Sequence, residues 1–337
     1  MTLEEFLQEW KNDSEKVLVH TSGSTGKPKP LWVEKRRMEA SARITCDFLG
    51  LKAGDTALLC MSLDYIAGKM MVVRSIVGNL RLIAVEPTGH PLASVPEGDI
   101  DFAAMVPMQV YNSLQIPEER ERLKQIRHLI IGGGAIDEAV ALQLKDFPNY
   151  VWSTYGMTET LSHIALRRLN GVEASEWYMP FDNVRISQNE DGCLVIDAPE
   201  VCAGQLVTND IVEIGGERRE KRGECFRIIG RKDNVIVSGG IKIQIEEVER
   251  ILKPFIREPF MITKRKNEKF GEVVVLLTES NDLGKIRKVC QLHLPKYWMP
   301  RDFVVVGKLP LTETGKPARK KAEMLCLIPR DRNRGLP

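Results

Sequence analysis

The chain has 337 residues with a formal net charge of +2, 43% of them apolar and 28% charged. This length calls for two domains rather than one core, and the balance is that of a soluble globular protein. A net charge so close to zero offers no basic face for nucleic acid. No apolar run reaches the roughly 18 residues of a membrane span, because Met70–Val77 is interrupted by Arg74.

The start, Met1-Thr2-Leu3-Glu4-Glu5, lacks the basic region of a signal peptide. Seven cysteines lie far apart with no C-x-x-C, a pattern of reduced, mostly buried thiols and hence of the cytoplasm. Five histidines without H-E-x-x-H or a paired Cys/His set leave zinc unsupported.

Thr2-Leu3-Glu4-Glu5 has the form of a capping box, with Leu3, Phe6, Leu7 and Trp10 on one helical face, so residues 2–11 should be a short amphipathic helix. Apolar and helical segments then alternate. Residues 17–20 and 56–61 are apolar, 34–49 and 64–78 helical, and 81–85 and 102–106 strand-like. A helix near 118–126, a strand at 128–131 and a helix at 137–146 follow. Such alternation implies βαβ units and a largely parallel sheet. From about residue 163 the strands shorten, at 193–197, 211–214 and 224–229, and indicate a small β-rich subdomain. A mixed tail has strands at 235–237, 272–278 and 303–306 and helices at 245–253 and 283–293. The expected architecture is α/β, with an N-terminal domain over 1–230 and an α+β C-terminal domain over 231–337. The basic run Lys316-Pro-Ala-Arg319-Lys320-Lys321 is most simply a solvated end.

The densest chemistry lies in His20-Thr21-Ser22-Gly23-Ser24-Thr25-Gly26-Lys27-Pro28-Lys29. Glycines let successive N–H groups converge, and hydroxyls and ammonium groups add donors to the same concavity, as a polyphosphate requires. It is not a Walker A loop, since Thr21 stands at the first Gly position and Pro28 at the Ser/Thr position. A Gly/Ser stretch otherwise serves as a linker; the fixed order of hydroxyl, Gly and Lys favours phosphate. Gly132-Gly133-Gly134-Ala135 follows a strand and by itself would be a helix-entry turn, Asp137 excluding the dinucleotide fingerprint. Tyr155-Gly156-Met157-Thr158-Glu159 would be a surface turn, Asp210 a turn residue, Arg231 and Asp233 a surface ion pair, and Ser238-Gly239-Gly240 a hairpin turn.

Taken together in this order, with Thr208-Asn209-Asp210, Gly230-Arg231-Lys232-Asp233 and Thr314-Gly315-Lys316, these segments resemble the adenylate-forming superfamily of acyl-CoA synthetases, luciferases and peptide-synthetase adenylation domains. The resemblance spans residues 20–316. It implies an AMP-forming ligase with ATP and CoA as substrates and Mg²⁺ as cofactor. Thr21, Ser22, Gly23, Ser24, Thr25, Gly26 and Lys27 would hold the β- and γ-phosphates. Gly133, Gly134 and Ala135 would lie against adenine, with Ser153, Tyr155, Gly156, Met157 and Thr158 completing the AMP site and Glu159 holding Mg²⁺, which takes hard oxygen ligands. Asp210 and Arg231 would take the ribose, Asp233 would be the hinge of a mobile C-terminal domain, and Ser238, Gly239 and Gly240 would line the CoA channel. Thr158, Glu159 and above all Lys316 would carry catalysis, Lys316 by neutralising charge gathering on the α-phosphate and attacking carboxylate.

The run Tyr155-Gly-Met-Thr-Glu-Thr160-Leu-Ser162-His163 is similar to that of o-succinylbenzoate–CoA ligases, a branch of that family. This would make the acid a small aryl ketone with two carboxylates. Arg74, alone in an apolar helix, would be the cation for the non-reacting carboxylate, or else a snorkelling surface residue. Ser162 and His163 would donate to the substrate, or His163 would be a satisfied core residue. Asn209 stands where the family has Gly. Two further departures stand out. Pro30 replaces a usual Gly. Only 19 residues precede His20, where longer relatives carry a further subdomain with dimer surface and pocket wall. Helix 2–11 would cover an exposed sheet edge, and a homodimer would do the rest. Other acyl-CoA ligases, carrier-loading adenylation enzymes and a non-catalytic adenylate-binding protein are the rival readings.

Overall fold

The structure, a computed structural model, describes residues 1–20, 30–217, 224–311 and 317–326. Helix α1 (Leu3–Lys11) starts at the expected box: Glu5 N donates to Thr2 Oγ1 at 3.2 Å and Thr2 N to Glu5 Oε2 at 2.8 Å. Strands β1 (Lys16–His20) and β2 (Pro30–Glu34) pair antiparallel, with His20 opposite Pro30 at one end. Pro30 is therefore the first residue of a strand, a position that tolerates its missing N–H. Helix α2 (Lys35–Leu49) ends at Gly50, φ +62°, with Leu51 N bonded to Cys46 O as in a Schellman cap.

A seven-stranded sheet follows. Its members are β3 (Thr56–Leu59), β4 (Arg81–Ala84), β5 (Phe102–Met105), β6 (His128–Ile131), β7 (Tyr150–Gly156), β8 (His163–Arg168) and β9 (Met179–Pro180). Their order is β4-β3-β5-β6-β7-β8-β9, parallel from β4 to β7 and antiparallel beyond. β3 and β5 are buried at every residue, as parallel strands covered on both faces should be. The connecting helices are α3 (Ile66–Val77), α4 (Pro107–Gln115), α5 (Pro117–Gln125) and α6 (Glu138–Leu144). Val110, Leu114, Leu123, Val140 and Leu144 of the last three join Leu129, Ile131 and Val151 in one core. Trp152 faces the other way, against Phe48 of α2 at 5.4 Å.

α1 docks on β1 and α3. Phe6 is fully buried under the Lys69 ammonium, 5.3 Å from the ring centroid, and Lys69 Nζ donates to Leu18 O at 2.7 Å. The helix expected to cover a sheet edge thus braces β1.

β10 (Arg185–Gln188), β11 (Cys193–Asp197), β12 (Leu206–Glu217) and β13 (Glu224–Arg231) form a four-stranded sheet in that order. The last sheet comprises β14 (Val235–Ser238), β15 (Ile241–Gln244), β16 (Phe260–Asn267), β17 (Gly271–Thr278) and β18 (Asp302–Val305). Helices α7 (Ile245–Leu252) and α8 (Leu283–His293) share its core through Val248, Leu252, Ile286 and Cys290. A ninth described helix, α9 (Arg319–Leu325), buries Ala322 against Met261 and Leu277, so the basic run taken for a solvated end is in part a docked helix. Only Lys320 and Lys321 of that run are exposed among its described residues other than Pro317.

The chain divides into two compact units. The first is Met1–Asn189, Val195–Thr208 and Ile214–Arg227; the second is Glu190–Leu194, Asn209–Glu213 and Ile228–Pro337. The fold class is the expected α/β, with a mainly parallel sheet between helices and further β-rich sheets.

Candidate active site

In the first unit the chain runs from β3 to β4 on one side, then returns to β5 on the other. Ligands of open α/β sheets bind outside the carboxyl ends of the strands at such a reversal. Here that places Met61-Ser62 after β3, Val106 after β5, Gly132–Ala135 after β6 and the segment from Met157 after β7 along one rim. Gly132, the first residue of the glycine motif, is sterically required: a Cβ there would stand 2.4 Å from Thr154 Oγ1. Gly133 has φ +81°, and Asp137 caps α6 by accepting from Ala139 N at 2.8 Å. The turn 132–135 therefore presents backbone at the strand end and is also a helix entry.

β7 and β8 approach so closely that a Cβ on Gly156 would lie 2.2 Å from Ser162 O and 2.5 Å from His163 Cα. Between them Thr158–Thr160 forms one 3₁₀ turn, braced by Thr160 Oγ1, which accepts from Met157 N and donates towards Ser162 O at 2.7 Å. Leu161 then takes φ +64°, ψ −36°, and Ser162 N donates to Thr160 O at 2.7 Å. This is a γ-turn in its strained positive-φ form, at a buried leucine that nothing in the sequence marks. Thr158 is buried. The Glu159 carboxylate is exposed, in no ion pair with a described residue, and fits a metal that keeps water and substrate phosphate as its other ligands. Ser153 Oγ lies 2.8 Å from Tyr178 OH. Tyr155 is 7% exposed, packed edge-on to Phe226 at 5.0 Å and tilted against Tyr178 at 5.9 Å.

The γ-turn delivers Ser162 to Arg74. Arg74 is 2% exposed, so the snorkelling alternative fails. Its Nη2 donates to Ser162 Oγ at 2.5 Å, Ser162 Oγ lies 3.2 Å from His163 Nδ1, and His163 Nε2 lies 3.1 Å from Thr45 Oγ1. Thr45 Oγ1 donates to Ser41 O at 3.0 Å, which leaves it an acceptor for His163. One direction of donation satisfies the whole chain: Arg74 to Ser162, Ser162 to Nδ1, and Nε2–H to Thr45. It needs a neutral imidazole, and burial, with Arg74 adding to it, holds the His163 pKa well below the ordinary range. Ser162 and His163 are thereby committed, so His163 is the satisfied core residue of the two readings. Arg74 is not. Among the described residues its Nε is buried without a partner and Nη1 meets only Met71 Sδ at 3.8 Å. Burial pushes its pKa down to about 10, which leaves the guanidinium charged at neutral pH.

In the second unit Arg231 Nη1 donates to Asp210 Oδ1 at 2.9 Å and Nη2 to Asp233 Oδ2 at 3.3 Å. Asn209 Nδ2 reaches the same Asp233 oxygen at 3.3 Å, a bond that glycine could not make. The three residues assigned to ribose and hinge are thus one network. Gly239 and Gly240, φ +57° and +84°, form the two-residue turn between β14 and β15, where Ser238 pairs with Ile241. That hairpin borders a cavity of about 200 Å³, lined also by Phe270, Lys296, Tyr297 and Arg301. Arg301 stacks over Phe270 at 4.6 Å. Thr21–Lys27 and Lys316 lie outside the described residues.

The sequence profile of the family described as AMP-binding enzyme matches residues 4–209. The chain belongs to that family. This AMP-binding enzyme is 34% identical to an acyl-CoA synthetase (AMP-forming)/AMP-acid ligase II-like protein of Dyadobacter fermentans. The two structures superpose with a TM-score of 0.64 over 96% of this chain and 93% of that one. The 2-succinylbenzoate–CoA ligase of Listeria monocytogenes is 24% identical over 94% of this chain and 71% of its own length. The o-succinylbenzoate CoA synthetase of Bacillus subtilis, solved with its acyl-adenylate, shares the fold at a TM-score of 0.74 and 22% identity, covering 90% of this chain and 68% of that one. No disulfide joins any of the seven cysteines, and no helix among the described residues is long and apolar enough to cross a membrane.

Proposed function

We propose that this family member is an ATP-dependent acid–CoA ligase, forming an acyl-adenylate and then a thioester, with 2-succinylbenzoate as its acid. The observation that carries the choice of acid is the buried Arg74 guanidinium, whose Nε has no partner and which faces no carboxylate among the described residues. A buried charge without a counterion is costly, and a ligand carboxylate supplies one with charge-assisted bonds. An acid with a second, non-reacting carboxylate meets that need. The named activity of the Listeria relative points the same way.

In the first step the reacting carboxylate oxygen attacks the α-phosphorus of ATP, the bond to the β-phosphate oxygen breaks, and pyrophosphate leaves. Thr21–Lys27 would hold the departing phosphates. Adenine would lie on the turn 133–135 with Ser153 and Tyr155 behind it, and Gly156, Met157 and Thr158 would border the α-phosphate. Glu159 would hold Mg²⁺, which neutralises phosphate charge. Asp210 and Arg231 would take the ribose hydroxyls, and Lys316 the charge at the reacting centre. In the second step the CoA sulfur attacks the acyl carbon, the carbon–oxygen bond to AMP breaks, and the thiol proton is released. Asp233 is the proposed hinge between the steps. The hairpin at Ser238–Gly240 and the cavity beside it, with two cations and two aromatic rings, suit the phosphates and base of CoA. Seven cysteines without a disulfide suit the cytoplasm.

The test is ATP–pyrophosphate exchange with 2-succinylbenzoate, benzoate, malonate and a fatty acid, followed by CoA thioester formation. Exchange should be strongest with 2-succinylbenzoate; stronger exchange with a monocarboxylic acid would refute the choice. Lys316→Ala should lose adenylation by roughly 10²-fold, the usual effect of removing one preorganised donor. It should spare thioester formation from supplied acyl-adenylate, and equal loss of both would refute the role of Lys316.

A further inference from the structure

The described residues on either side of 312–316 are tied to one another. Leu311 and Pro317 form an antiparallel bridge, and Ala318 N donates to Pro310 O at 2.9 Å. The next residue, Arg319, is the first of α9, and it is held by far more than a surface contact. Its Nη1 and Nη2 meet Glu249 Oε1 and Oε2 of α7 at 2.6 and 2.7 Å, a two-pronged pair. Nη1 also donates to Ile262 O at 2.9 Å, while Ile262 N donates to Glu249 Oε1 at 2.7 Å. Both side chains are largely buried. The pair therefore locks the start of α9 to helix α7 and to strand β16 together. Lysine in place of Arg319 would keep the charge but not the fork that fixes direction.

From this geometry we propose that Glu249 and Arg319 are positioning residues for Lys316, fixing the described residues that follow it in the chain. The inference rests on the role given to Lys316 above. It predicts an effect confined to the half-reaction in which Lys316 works, because misplacing a reacting group by about 1 Å can cost ~10²-fold in rate.

Arg319→Lys would be measured in both half-reactions with 2-succinylbenzoate and ATP, and with supplied 2-succinylbenzoyl-adenylate and CoA. Val248→Ala serves as the control, since it loosens the same helix within the core without touching the pair. Arg319→Lys should lower kcat of adenylation by roughly 10- to 100-fold while KM for ATP and the thioester step stay unchanged, the mark of an interaction used only in the transition state. Val248→Ala should show no such split. Equal losses in both half-reactions, a rise in KM alone, no loss, or the same split in Val248→Ala would each overturn the proposal. If Arg319→Lys does not fold, Glu249→Gln, which keeps an acceptor for Ile262 N, is read by the same criteria. Retention of adenylation by Lys316→Ala, or none in the wild type, would instead bring down the reading on which the proposal rests.

Discussion

Replacing Arg74 by methionine separates what the guanidinium does for the fold from what it does for the acid. Burial pushes its pKa down from the ordinary guanidinium range to about 10, which at 1.36 kcal/mol per unit corresponds to a cost of about 3 kcal/mol for keeping the charge inside. Methionine removes that cost and fills similar space beside Met71. It also loses the charge-assisted bond to Ser162, a contribution of about 1.5 kcal/mol, although Ser162 keeps its bond to His163. The net expectation is a protein more stable by about 1–2 kcal/mol, a rise in Tm of about 2–6 °C. Recognition should move the other way. Truncating one member of a buried charge pair costs ~2–5 kcal/mol, so kcat/KM for 2-succinylbenzoate in pyrophosphate exchange should fall roughly 30-fold or more. Any weak exchange with benzoate should not change. A lower Tm together with unaltered kcat/KM for the diacid would show that Arg74 is a structural residue, and the reasoning would fail.

Gly156→Ala forces a Cβ into the backbone of Ser162 and His163, and should destabilise the protein by about 2–3 kcal/mol, as overpacking does. Urea denaturation measures this, and a change within about 0.5 kcal/mol would contradict the close approach of β7 and β8. The pKa of His128 is lowered from 6.5 to about 4 by burial first and by Arg127 and Arg168 next. The unfolded chain therefore takes up a proton near pH 6.5 that the native ring refuses until about pH 4. Stability is fully present above pH 6.5, falls as pH drops through that window, and levels off below it. Discounted for a ring only partly buried, the loss is about 1–2 kcal/mol. His128→Gln should shrink the stability difference between pH 7 and 4.5 by that amount, and an unchanged difference would refute the assignment.

Much of this organisation is legible in the sequence because local chemistry decides it. Thr2 and Glu5 mark the first helix, all-apolar runs mark β3 and β5, and two adjacent glycines make the β14–β15 turn. α4 escapes the same reading because its buried face carries Gln109 and Ser113, which break the apolar period. Gln109 is buried for its amide, which donates to Cys60 O and Thr88 O. β16 escapes because its second half, Lys264–Asn267, is polar. The motifs single out the residues proposed for the adenylate, but not the steric need for Gly132, which depends on Thr154 of the neighbouring strand. Nor do they show the chain from Arg74 to Thr45, whose members lie up to 118 positions apart.

Two unfavourable features meet at Ser162, and their coincidence bears on function. The positive-φ turn at Leu161 stores about 1–3 kcal/mol, and the buried charge of Arg74 adds about 3 kcal/mol more. A sequence selected for stability alone would place Gly or Asn at position 161 and an apolar residue at 74. Here the strained turn is what brings Ser162 to the guanidinium, and His163, whose tautomer Thr45 fixes, takes the hydroxyl's own proton, so Ser162 faces Arg74 only as an acceptor. The guanidinium is thereby held in one orientation with Nε left over. Strain, a fixed neutral imidazole and an unmatched cation are unfavourable singly; under the function proposed above they would be useful jointly, as a preorganised seat for one carboxylate.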